Sequence, residues 1–257
     1  MQKIFIDTSF PNPDELRLFI KQLPTVFNSS GTILFDNRNT IKKFDLAGKC
    51  INVKFFGKPN LFNAFIYRFF RKSKAERSYE NALLLKQNGI LTPQPFACML
   101  QSKYGLFSKS CYISEQEIFD GNLYELRTGS LEKHRKLISD FAQFTAELHS
   151  KNILHLDYSP GNILYKMNPA SGEYSFYLVD LNRMRFYRKI TLSEACKSFR
   201  RLVGSEEMIR YFSSKYAESR QKDDEKCIEM TLNYRDKFWK KFEKRHKNFI
   251  PNYLPNE

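Results

Sequence analysis

His155-Leu156-Asp157-Tyr158-Ser159-Pro160-Gly161-Asn162-Ile163-Leu164 is the stretch from which the whole chain can be read. An aspartate stands five residues before an asparagine, and a short apolar run follows. That pairing suits phosphoryl transfer. The aspartate orients the attacking hydroxyl and takes its proton, while the asparagine carboxamide holds a metal ion on the nucleotide phosphates. Asp-x4-Asn alone also occurs in ordinary turns and helix caps. A second feature narrows the choice. Eighteen residues beyond Asn162, Leu178-Val179-Asp180-Leu181-Asn182-Arg183 puts a carboxylate at the end of an apolar strand, where a phosphotransferase keeps its other metal ligand. Asp157 is therefore the candidate catalytic residue, Asn162 and Asp180 are the candidate metal ligands, and ATP and Mg²⁺ are the implied cofactors.

Working upstream, three β-prone runs, 32–36, 40–46 and 50–56, are separated by Asn37-Arg38-Asn39 and Ala47-Gly48-Lys49. Antiparallel strands in that position match the small lobe of a kinase. A kinase usually sets a glycine-rich loop between the first two strands. Here Asp36-Asn37-Arg38-Asn39 holds that place without glycine, leaving two readings: Arg38 on a phosphate, or a plain hairpin turn. In the third strand Ile51, Val53 and Phe55 share one face and Asn52, Lys54 and Phe56 the other. Lys54 matches the lysine that pairs with the α- and β-phosphates; an exposed strand lysine is the alternative.

A helix is expected from about 74 to 88, stopped by Gly89. A kinase places on it a glutamate that fixes the strand lysine. Glu80 is the first choice and Glu76, on the same face, the second; surface pairing with Arg77 is the plain alternative for both. Residues 104–119 read as a β-hairpin whose second strand, 111–118, leads into Phe119-Asp120-Gly121-Asn122. This is the expected hinge, where adenine would meet backbone groups, and Glu117 is counted there among the nucleotide-binding residues. At the start, 2–6 reads as a strand, and Asn12-Pro13-Asp14-Glu15 opens a helix whose apolar stripe, Leu16, Phe19, Ile20 and Leu23, is expected to stop at Pro24.

Beyond 119 the pattern turns helical. Leu137, Phe141, Phe144, Thr145 and Leu148 form one stripe. His149 is expected to pack, and His155 to brace the loop by hydrogen bonds without moving protons. The tail from about 191 to 246 is cationic and helical, with Phe238, Trp239 and Phe242 either docked on the large lobe or lying on a membrane surface. The mixture of aromatics and cations over 60–74 has the same two readings, interfacial segment or packed helix.

Composition sets the outer bounds. The 257 residues suit one domain or two lobes sharing a cleft, and the net charge of +14 calls for an acidic partner: nucleic acid, anionic lipid or a phosphorylated substrate. Five scattered cysteines suggest neither a disulfide frame nor a zinc site, and a reducing cytosol fits them. Residues 1–7 lack the apolar core of a signal peptide, and no apolar run approaches the roughly 20 residues needed to span a bilayer. Any membrane contact is thus expected to be peripheral.

Together these residues resemble one family, the bacterial lipopolysaccharide kinases, which phosphorylate Kdo or heptose of the inner core. The resemblance covers roughly residues 30–215. It rests on Val53-Lys54, on 71–80 with Thr92-Pro93-Gln94-Pro95, on 155–164, and above all on Asp180-Leu181-Asn182-Arg183, where protein kinases place Asp-Phe-Gly. It implies an α+β, bilobal protein-kinase-like fold: a small β-rich N-lobe over 1–118 and a mostly helical C-lobe over 119–257. It also implies an ATP- and Mg²⁺-dependent enzyme on the cytoplasmic face of the inner membrane, bound peripherally to its anionic surface. Leu156 and Ser159 depart from the protein-kinase loop, and no Ala-Pro-Glu follows Arg183, so the peptide-positioning segment is missing.

The leading expectation is phosphate transfer to a hydroxyl of Kdo on lipid A, with Arg183 either gripping the anionic acceptor or bracing the loop. Heptose is the runner-up acceptor. Protein or small-molecule kinases of the same fold come next. A pseudokinase is disfavoured by the intact Lys54, Asp157, Asn162 and Asp180. A nucleic-acid module has charge alone in its favour, so no nucleic-acid partner is expected, and no obligate protein partner either.

Overall fold

The computed structural model describes residues 2–37, 39–57, 72–103 and 106–245. Arg38 and most of the aromatic and cationic stretch 60–74 lie outside these residues. The chain divides into two compact units: Met1–Ile118 with Asp180–Asn182, and Phe119–Val179 with Arg183–Glu257.

The first unit is built on a six-stranded antiparallel sheet. Its strands are β1 (Gln2–Ile6), β2 (Thr32–Asp36), β3 (Asn39–Leu46), β4 (Lys49–Phe56), β5 (Pro95–Lys103) and β6 (Leu106–Glu115), ordered β1-β5-β6-β4-β3-β2. β3 and β4 meet at a two-residue turn in which Ala47 and Gly48 both have positive φ, the twist that suits a tight hairpin. β2 forms an open edge, with Ile33, Leu34 and Phe35 exposed.

The sheet is covered on both faces. Helix α1 (Pro13–Val26) begins with the Asn12 side chain capping the Glu15 N–H. It buries Leu16, Ile20 and Leu23 against Ile51 and Val53 of β4 together with Phe96, Met99 and Ile113. α1 does not stop at Pro24 as expected. A proline removes only its own N–H bond, and in the last turn the Phe27 N–H still reaches the Leu23 carbonyl at 2.9 Å. The carbonyls past the helix end meet Lys42 of β3, a buried ammonium that donates to Phe27 O at 2.6 Å and Ser30 O at 3.0 Å. On the opposite face helix α2 (Lys74–Gln87) packs Ala75 and Tyr79 on Phe56 and Cys98. Ser73 and Glu76 close a capping box at its start, and Gly89, with positive φ, follows its end. The alternation read along β4 thus sends Val53 to the α1 side and Lys54 to the α2 side. β6 runs unbroken over Leu106–Glu115 and pairs with β5, so the hairpin is 95–115 and not the expected 104–119 with a second strand at 111–118; β6 stops at Glu115, where the Gln116 N–H turns to the Cys50 carbonyl.

The second unit is mostly helical. A short strand β7 (Gly121–Asn122) and a 3₁₀ turn (Leu123–Arg127) lead to α3 (Leu131–Ser150), whose stripe Leu137, Ile138, Phe141, Thr145 and Leu148 is buried. Then come β8 (Leu154–His155), a 3₁₀ turn (Pro160–Asn162), β9 (Ile163–Met167), β10 (Tyr174–Leu178) and β11 (Met184–Arg185). β9 pairs with β7 and β10, and β11 pairs with β8. α4 (Leu192–Ser198), a 3₁₀ turn (Phe199–Arg201), α5 (Glu206–Ser219) and α6 (Asp224–Arg245) complete the unit. Phe141 stacks on Phe212 at its centre, and Phe199 meets Phe212 and Tyr216 edge-on. α6 docks on this body through buried Cys227, Thr231 and Arg235, and Phe238 carries the guanidiniums of Arg200 and Arg201 over its ring. The aromatic stripe of α6 is therefore half-buried packing. No helix among the described residues is long and apolar enough to cross a membrane.

Candidate active site

In the first unit, Lys54 Nζ lies 2.5 Å from Asp180 Oδ1, with Lys54 15% and Asp180 31% exposed. The same oxygen accepts from Asn182 Nδ2 at 2.8 Å. Asp180 has φ of 57°, a left-handed backbone that Asp tolerates better than most residues. The turn is held from α2. Arg77 Nη1 donates to the Asn182 carbonyl at 2.6 Å, and Asn81 Nδ2 to the Leu181 carbonyl at 2.7 Å. Arg77 and Asn81 are one helical turn apart, so a single face of α2 fixes two successive carbonyls just beyond the carboxylate.

The expected Lys54–Glu80 pair is not the one formed here. Glu80 lies 2.5 Å from Lys72, just ahead of α2, and both side chains are exposed. Glu76, the second choice, is engaged in the capping box with Ser73. The α2 face that turns to the functional residues carries Arg77 and Asn81 instead. Glu117 sits half-buried beyond β6, its carbonyl accepting from Gln116 Nε2 at 3.0 Å.

In the second unit the loop after β8 is fastened at every residue that matters. The Asp157 N–H donates to His155 Nδ1 at 3.1 Å, which leaves Nε2 to donate to the Val179 carbonyl at 3.1 Å. His155 is thereby a neutral brace with one defined tautomer. Tyr158 is buried, and its hydroxyl meets Thr145 of α3 at 2.9 Å; Thr145 in turn donates to Phe141 O. Gly161 has a local reason: a Cβ there would lie 2.9 Å from the Tyr124 ring. The Asp157 carbonyl accepts from Ser159 N at 2.8 Å and from Asn162 Nδ2 at 2.9 Å. Because Asn162 uses its amide nitrogen there, its carboxamide oxygen is the end left to face a metal. Asn162 and Asp180 both offer the hard oxygen that Mg²⁺ takes.

The Asp157 carboxylate is flanked by two guanidiniums. Arg183 Nη1 is 3.3 Å from Oδ2, and Arg201 pairs with Oδ1. Arg183 is brought there by the β8–β11 ladder, where the Leu156 N–H donates to its carbonyl at 2.8 Å. Arg185 and Arg188 pair instead with Glu194, and Arg185 with the other hydrogen bonds holds that carboxyl down at about 2. His149 packs inside, hydrogen-bonded to Tyr216 at 2.8 Å; burial first, then Arg220 and Arg185, lowers it to about 3, so it is neutral. Cys196 of α4 and Cys227 of α6 are free thiols 3.8 Å apart where the two helices meet.

An aspartate loop braced from its own backbone, an asparagine tied to that backbone, and a lysine on a second aspartate are the parts that phosphoryl transfer requires. The matching sequence relationship is equally specific: residues 61–217, more than half of the chain, match the lipopolysaccharide kinase (Kdo/WaaP) family. The chain belongs to that family. It is a phosphotransferase of the lipopolysaccharide kinases, with ATP as the donor that kinase membership implies. Among solved structures, one described as WaaP in complex with acyl carrier protein is similar, with a TM-score of 0.58 over 94% of this chain and 98% of that one. At 13% identity the likeness is one of fold, and it agrees with the α+β, kinase-like architecture read from the sequence. No curated protein sequence matches the chain.

Sequence reasoning missed Arg77, Asn81 and Arg201. Arg77 and Asn81 were within reach, since each follows one of the expected glutamates by one position on α2. Arg201 carried no local signal.

Proposed function

We propose that this kinase transfers the γ-phosphate of ATP to a hydroxyl of Kdo on lipid A. The hydroxyl oxygen bonds to the γ-phosphorus, and the bond from that phosphorus to the ADP oxygen breaks with its electron pair on ADP. The hydroxyl proton passes to the Asp157 carboxylate. Lys54 steadies Asp180 and the phosphates; Asn162 and Asp180 would hold Mg²⁺, which supplies charge neutralisation on the phosphates when bound. Glu117 remains a proposed neighbour of the nucleotide, through its backbone. Glu80 is proposed only to shape the start of α2.

The observation that carries the acceptor reading is the pair of guanidiniums beside Asp157. A peptide hydroxyl needs no such charge, whereas Kdo on lipid A brings a carboxylate and phosphates. The surplus of +14 fits the same acceptor and a peripheral place on an anionic membrane, on its cytoplasmic face where ATP is available. Heptose is the second reading, because the Kdo and heptose kinases share these motifs.

The test offers the purified protein Mg·ATP with Kdo-lipid A, a heptose-bearing core, a protein substrate and a soluble aminoglycoside in parallel. One added phosphate on the lipid product, placed on Kdo by fragmentation, is the expected result. Phosphate on protein alone, or on no lipid, would overturn the acceptor.

A further inference from the structure

We propose that Arg201 masks the catalytic carboxylate of Asp157 until an anionic acceptor draws the guanidinium away, so that hydroxyl activation is gated by acceptor charge. This rests on the acceptor reading above only for the identity of the anion.

Asp157 must accept a proton from the hydroxyl it activates, and for that it needs an open oxygen. Neither oxygen is open here: Arg201 covers Oδ1 and Arg183 covers Oδ2. The two guanidiniums differ. Arg183 is 60% exposed and sits at 3.3 Å, a loose contact that solvent can replace. Arg201 is 34% exposed, and its guanidinium lies 5.7 Å from the centre of the Phe238 ring. Burial pushes its pKa below the ordinary value, in keeping with a side chain about two-thirds covered. Removing the counterion of a partly buried cation is costly, so Arg201 leaves Asp157 where another anion takes its place. Among the described ion pairs, Asp157 is the only carboxylate on Arg201. The exchange must be with an anion from outside, and the planar fork of arginine matches a carboxylate or phosphate with two parallel bonds.

The device has a use beyond grip. ATP bound without acceptor is exposed to water, which can replace the hydroxyl and yield ADP and inorganic phosphate. With Oδ1 covered by Arg201, only Oδ2, loosely held by Arg183, is left to take the proton of that water, and hydrolysis is slowed until Arg201 leaves. Acceptor charge then both delivers the sugar and uncovers the base. An ordinary bracing role for Arg201 predicts the reverse: its loss would disorder Asp157 and slow hydrolysis and transfer together.

The experiment compares wild type, Arg201→Gln and Arg201→Lys with Mg·ATP, with and without Kdo-lipid A, alongside thermal melting. For Arg201→Gln, ADP release without acceptor should rise roughly fivefold or more. The acceptor KM should rise about tenfold while the ATP KM stays within about twofold. Arg201→Lys keeps the charge without the fork and should fall between on both readouts; it carries the test if the glutamine variant does not fold. Unchanged or slower acceptor-free hydrolysis would overturn the mask, and faster hydrolysis with an unchanged acceptor KM would overturn the exchange. If wild type does not phosphorylate Kdo-lipid A at all, the acceptor reading falls, and the hydrolysis arm still decides whether Arg201 covers Asp157.

Discussion

Asp180 takes its partners from two elements that are themselves fixed: Lys54 in the middle of β4, and, through the carbonyls of Leu181 and Asn182, the side chains of Asn81 and Arg77 on α2. Asp157 is treated differently. Its backbone is tied down by His155, Ser159 and Asn162, while its carboxylate is given to two arginines from later in the chain. In the first case the charge is part of the framework. In the second the framework stops at the main chain, and the charge is left to partners that can be exchanged. A group that holds nucleotide is best immobile, whereas a group that meets an incoming hydroxyl must change partners during turnover.

The sharpest way to break this contrast is to remove each carboxylate. Asp157→Ala should lower kcat by about 10²- to 10⁴-fold and leave nucleotide affinity within about threefold. Asp180→Asn should weaken Mg·ATP binding and turnover together. Nucleotide titration beside steady-state rates separates the two patterns, and the same pattern for both would erase the distinction.

A smaller effect tests which acid serves Lys54. Lys54→Met should cost roughly 10²-fold in kcat/KM, while Glu80→Gln, whose partner is the exposed Lys72, should stay within about threefold. A loss for Glu80→Gln as deep as for Lys54→Met would mean that the lysine changes partner during turnover.

The smallest effect lies one step behind the carboxylate. Arg77→Ala leaves the Asn182 carbonyl without its charged donor, a loss of about 1.5–3 kcal/mol for such a bond. It should appear as roughly tenfold weaker nucleotide binding with kcat at saturating ATP little changed. Calorimetric titration of nucleotide measures it directly.

These differences also explain what could be read beforehand. The loop 155–164, the turn at Asp180 and the face of Lys54 are local: short spacing and the two-residue period of a strand determine them. The face of α2 was half legible. Glu76 and Glu80 lie on one side and Arg77 and Asn81 on the next, and the rotation of a helix about its axis is set by packing, here by Ala75 and Tyr79 on Phe56 and Cys98. The passage of α1 beyond Pro24 was misread because proline in a last turn loses so little. Arg201 was illegible for another reason. It is one of 42 lysines and arginines, and the turn that carries it is held by tertiary packing of Phe199, parallel to His149 and edge-on to Phe212 and Tyr216.

The positive φ of Asp180 has a consequence for how this scaffold can drift. Few side chains sit comfortably in that region; Asn and Gly are the ready substitutes, and a β-branched residue there is strained. Both ready substitutes keep the turn and remove the charge. On the proposed role of Asp180, loss of activity is therefore a single step: a descendant with Asn or Gly at 180 should keep the turn and transfer phosphate far more slowly. Such descendants would be recognisable by an intact Lys54 facing a residue that no longer answers it.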